Sequence, residues 1–115
     1  MKIKVREKED YIIVDLESIA NSFQEAQEFH QRFETLLNSG KSLFVINLLN
    51  VVYLNSITVG MISSSFNSTR KKNGRFVLIN VDEKLEEFLD GVGLKRHIKT
   101  YASESEFERQ ELKAK

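Results

Sequence analysis

The sequence has no cysteine and no proline, only five glycines, and no surplus of charge of either sign. Without cysteine there is no disulfide, no thiolate nucleophile and no thiolate metal site. That fits a reducing compartment. Without proline, and with so few glycines, there is no flexible linker and no boundary between domains. The 115 residues therefore predict one domain, 1–115, large enough to own a core. Seventeen basic residues balance seventeen acidic ones, so no net field draws in nucleic acid or an acidic membrane. No apolar run approaches the roughly 20 residues of a bilayer-spanning helix. The opening MKIKVREKED alternates charged with apolar residues and lacks the apolar centre of a signal peptide. Together these absences predict a soluble, cytoplasmic chain. There is also no internal repeat at solenoid periods.

What is present is concentrated between Lys41 and Asn73. Phe44, Val45, Ile46, Leu48 and Leu49 form a short apolar run broken only by Asn47, which predicts a strand buried on both faces. Val51, Val52, Tyr53 and Leu54 carry the apolar character on to Asn55-Ser56. Beyond that point the period changes. Val59, Ile62, Phe66 and Thr69 recur every three or four residues, the spacing of one helical face. A buried strand feeding a helix through Asn-Ser puts the Ser56 hydroxyl at a helix N-terminus. Unpaired N–H groups and partial positive charge there favour an anion.

Around this centre the chain reads in order. Ile3 and Val5 alternate with Lys2, Lys4 and Arg6, and Tyr11 to Leu16 follows a polar turn, so the chain opens with a predicted hairpin. Ser22 and Glu25 make a capping-box pattern ahead of a stripe of Ala26, Phe29, Phe33, Leu36 and Leu37, and Ser39-Gly40 ends that helix. Asn73-Gly74 ends the second helix, and Arg75 to Val81 predicts another buried strand. Asp82 caps a short third helix with Leu85, Phe88 and Leu89 facing inward. Gly91 and Gly93 close it, His97 to Tyr101 predicts a last strand, and Ser103 with Glu106 caps a polar helix anchored by Phe107 and Leu112. The order is ββαβαβαβα. It implies a mixed sheet, parallel in its middle, with helices packed on it.

This order, together with the junction motif, resembles the STAS domain, the fold of bacterial anti-sigma factor antagonists and of the cytoplasmic tails of sulfate transporters. That family ends its third strand on Asp and, eight residues later, opens its second helix with Asp-Ser-Ser/Thr-Gly-Leu-Gly. Here the same spacing holds Asn47 and then Asn55-Ser56-Ile57-Thr58-Val59-Gly60, and Gly93-Leu94 stands where the family closes its third helix. Both acids are amides in this chain, and Ile57 and Thr58 replace the second hydroxyl and the first Gly. The resemblance implies an α/β fold with a STAS-like mixed sheet, an N-terminal hairpin and about four helices. It implies a regulatory module rather than an enzyme, without cofactor or metal. Such a module docks on a serine kinase that is also an anti-sigma factor. The implied contact residues are Asn55, Ser56, Ile57, Thr58 and Val59, with Ser56 the site of phosphorylation. Two alternatives stand beside it: a non-phosphorylated STAS subunit of a larger complex, and a small phosphocarrier using Ser56 with a histidine close by.

Other conspicuous residues have plainer readings. Arg70, Lys71, Lys72 and Arg75 cluster at a helix C-terminus, where the dipole favours cations, and no aromatics interleave them to stack bases. Ser63-Ser64-Ser65 is solvated or fills small spaces against the sheet. Asp82, Glu83, Glu86, Glu87 and Asp90 form a solvated helix face, and His30 and His97 lack the spacing of a metal site. Gly91-x-Gly93 follows a helix, whereas a dinucleotide-binding turn follows a strand.

Overall fold

The computed structural model describes residues 1–112. Nine regular elements follow the expected order. They are β1 (Ile3–Glu7), β2 (Tyr11–Leu16), α1 (Phe23–Leu37), β3 (Leu43–Asn47), α2 (Ser56–Lys71), β4 (Arg75–Ile79), α3 (Glu83–Gly91), β5 (Lys99–Tyr101) and α4 (Glu104–Glu111). A single 3-10 turn at Leu94–Arg96 leads into β5.

The strands lie side by side in sequence order, β1-β2-β3-β4-β5. The β1–β2 pair is antiparallel and the other three pairs are parallel. Each parallel step needs a crossover, and right-handed crossovers that all advance in one direction put every helix on the same face. Accordingly α1, α2 and α3 share one face. Their Phe33, Ile62 and Leu89 pack with Val14, Ile46 and Leu78 of the sheet. The opposite face, Ile13, Val45, Val77 and Ile79, is equally apolar and needs a cover of its own. That cover is α4, which inserts a fully buried Phe107 between Tyr11 and Tyr101.

The helix starts follow the sequence signals. Ser22, Asn55, Asp82 and Ser103 each accept a hydrogen bond from the backbone N–H three residues on. Gly93 adopts φ +83° at the end of α3. A Cβ on Gly74 would lie 2.8 Å from Thr69 Cγ2 and 3.2 Å from the Ser42 carbonyl oxygen, so β4 can start this close to α2 only with glycine.

Some side chains depart from expectation. The central strand ends at Asn47 rather than continuing to Leu49, and Leu49 is 65% exposed. The cause is local: Asn47 Oδ1 accepts from the Leu49 N–H at 3.0 Å and pulls the chain out of the sheet. Phe88, expected inward, is 39% exposed, because α3 turns only Leu85 and Leu89 fully toward the core. On α2 the fully buried stripe is Thr58, Met61, Ile62, Ser65 and Thr69, with Val59 and Phe66 at its margin. Small hydroxyl residues serve there because each hydroxyl is satisfied. Ser65 Oγ donates to the Met61 carbonyl (2.9 Å) and Thr69 Oγ1 to the Ser65 carbonyl (2.8 Å).

Candidate functional site

The start of α2 is built by the β3–α2 connection on one side and the loop before α1 on the other. Asn55 joins them. Its Oδ1 accepts from the Thr58 N–H (2.9 Å), and its Nδ2 donates to the Ala20 carbonyl (2.7 Å). Thr58 completes the tie, its Oγ1 accepting from the Ala20 N–H at 3.0 Å. The Ala20 residue is therefore gripped at both its backbone polar groups by α2. An aspartate at position 55 would still cap the helix, but it has no hydrogen to offer the Ala20 carbonyl. The amide is what lets one side chain cap the helix and hold the loop.

Thr58 is fully buried by these contacts, so its expected part as a contact residue is corrected: it has no side-chain surface to present. Ser56, the first residue of α2, is exposed, and its hydroxyl makes no hydrogen bond among the described residues. Nor do the N–H groups of Ser56 and Ile57 have a partner there. No acidic residue lies in the first turn. Asn55, Ile57 and Val59 are half-buried.

Of the six large hydrophobic residues exposed in the described chain, Phe23 shares a groove with Ser56. Leu49, Val52 and Tyr53 lie on the connection that leads into α2, and Phe88 lines a cleft with Val52 and Tyr53. Phe23, 81% exposed, lines a groove of about 300 Å³ between α1 and α2 with Ile57, Met61 and Ser56 itself. Val52, 91% exposed, and Tyr53 border a second cleft of about 210 Å³ with Phe88 and Lys84. Ser56 thus lines the first of two apolar recesses. Sequence spacing points to Asn55–Val59 but misses Phe23 and Phe88, because those residues come from other elements. The one sequence signal for them is a phenylalanine beside a helix cap and another at the margin of a short helix.

His30 lines the Phe23 groove as well, but no hydrogen bond joins it to Ser56, and its ion-pair contact is Glu34, 3.6 Å from Nε2. His97 lies elsewhere, in a groove beside β5. Among the described residues no group of three His, Cys, Asp or Glu side chains is placed to hold a metal. No helix there is long and apolar enough to cross a membrane.

An α/β domain with this strand order, and with a serine exposed at the start of its second helix, defines a class. Residues 2–107 match the STAS domain family, and the chain belongs to it. Among solved structures it is similar to the protein TM1081 of Thermotoga maritima, with a TM-score of 0.82 and 25% identity over 100% of this chain and 91% of that one. It also shares its fold with the anti-sigma factor antagonist SpoIIAA in its unphosphorylated form, with a TM-score of 0.75 and 10% identity over 99% and 100% of the two chains. A Glu-for-Ser variant of RsbS from Moorella thermoacetica gives a TM-score of 0.80 at 14% identity, over 99% and 98%. No curated protein sequence matches the chain.

Proposed function

We propose that this protein is a partner-switching module of the anti-sigma factor antagonist type. It docks through the start of α2 onto a serine kinase that is also an anti-sigma factor, and phosphorylation of Ser56 releases it. The observation that carries this reading is the free, exposed Ser56 hydroxyl on the lip of the apolar groove between α1 and α2. The contact set is Asn55, Ser56, Ile57 and Val59, extended by Phe23, Val52, Tyr53 and Phe88. The whole chain, 1–115, acts as one cytoplasmic unit that binds protein rather than nucleic acid and carries no cofactor.

The physics of the switch is local. Two unpaired N–H groups and the helix dipole let this domain tolerate a phosphate on Ser56. The same phosphate adds roughly −1.5 to −2 charges to a surface that a partner must desolvate. One step of about 1.4 kcal/mol is already tenfold in affinity, so a single modification suffices without a shape change. The existence of the SpoIIAA fold in both unphosphorylated and phosphorylated forms supports such a cycle by analogy.

Incubation with the serine kinase of the anti-sigma type from the same cell, with ATP, tests this directly. Intact mass should rise by one phosphate localised to Ser56, and Ser56→Ala should gain none. A mass that stays unchanged with an active kinase contradicts the switch and leaves the constant-subunit alternative. No observation favours the phosphocarrier, since no histidine bonds Ser56.

A further inference from the structure

The β3–α2 connection, which presents Leu49, Val52 and Tyr53, is held by a chain of side-chain hydrogen bonds that begins two strands away. Asp15, at the end of β2, is the register partner of Asn47 and accepts from its Nδ2 at 2.7 Å. An ionised carboxylate only accepts, so Asp15 fixes which way the Asn47 amide points. The amide oxygen is left facing the Leu49 N–H (3.0 Å) and Asn80 Nδ2 (2.7 Å). Asp15 is itself oriented by Arg6 of β1, whose Nε and Nη2 reach its two oxygens at 2.9 and 2.8 Å. The outer edge of the same guanidinium grips Glu104, at the start of α4, at 3.0 and 2.9 Å.

We infer that Asp15 is a positioning residue for the docking surface: by holding the Asn47 amide in one orientation it sets where the chain leaves β3 and how the following apolar residues are turned outward. The pair is matched. An aspartate at 47 would set a second carboxylate against Asp15 at hydrogen-bond distance, where like charges oppose each other. An amide at 15 would keep one acceptor oxygen where the carboxylate has two, so it could not serve both Arg6 and the Asn47 amide as Asp15 does. The relay also ties α4, on the far face of the sheet, to the loop that precedes α2.

Exchange of the Leu49 amide, followed by NMR, tests the inference in Asn47→Asp, Asp15→Asn and the double variant that exchanges the two residues. Each single change should speed exchange at Leu49 by about tenfold, the effect of losing one hydrogen bond of this kind. Val45 and Val77, inside the sheet, should keep their protection. The double variant again sets one donor amide against one carboxylate, at the cost of an Arg6 contact to residue 15, and should recover part of the loss. Unchanged exchange in the single variants, or a double variant no better than either, overturns the inference. Should a single variant fail to fold, the double variant against the wild type decides alone. The consequence for docking rests on the function proposed above, but the exchange at Leu49 does not. A partner indifferent to Val52→Ala and Tyr53→Ala would remove the first and leave the second standing.

Discussion

At the scale of single residues, the junction uses amides and small side chains for jobs that spacing alone cannot reveal. Asn55 and Asn47 both donate from Nδ2 while accepting at Oδ1, and a carboxylate can do only half of that. Gly60 is the opposite case. It lies inside α2, and a Cβ there meets nothing within 4 Å, so the fold itself does not need glycine. Gly60→Ala should therefore stabilise the domain by about 0.5–1 kcal/mol through helix propensity, measured by urea denaturation. If the bare backbone serves close approach by a partner, the same variant should bind more weakly. A Gly60→Ala protein that is less stable than wild type would contradict this account of the helix. That Thr58 is buried was not legible in the sequence, because its burial depends on Ala20, a residue from another loop. Ser65, by contrast, fills a small space in the core, one of the two readings its run of serines allowed.

At the scale of elements, caps and apolar periods were enough to place every strand and helix in order. Those signals are local, and the four N-cap residues do in the structure what their spacing predicts. The ends of elements and the outward side chains were less legible. Leu49 leaves the sheet because of a hydrogen bond to Asn47, and Phe88 stays partly exposed because a nine-residue helix fully buries only a narrow stripe. The docking of α4 gives a test at this scale. Glu111 receives Arg75 at 2.8 and 3.0 Å and the Tyr101 hydroxyl, and these contacts join α4 to β4 and β5. Arg75 lowers the Glu111 pKa from 4.5, so that contribution is present above 4.5 and lost as pH falls through the lowered value. Burial, then the bond to Glu111, pushes Tyr101 from 10.0 up to about 12; its contribution is complete below 10.0 and lost as pH rises through about 12. Tyrosine absorbance should show one phenol ionising near 12, and Glu111→Gln should move it downward. The absence of any phenol ionising near 12 in the wild type would mean that α4 is not held this way.

At the scale of the molecule, the sheet order dictates the division of labour. A sheet that grows in one direction puts α1, α2 and α3 on one face, leaves the other to α4, and gathers the loops at the strand ends around Ser56. The STAS resemblance is legible because it rests on this order and on the eight-residue spacing from Asn47 to Asn55. The apolar recesses are not, because Phe23 meets Ser56, and Phe88 meets Val52, only in the folded chain. The most direct measurement is calorimetric titration of the kinase-type partner onto the wild type and onto Ser56→Glu. The account predicts an affinity at least about tenfold weaker for the variant, a cost of about 1.4 kcal/mol, with thermal stability unchanged. Equal affinity for both proteins would contradict it.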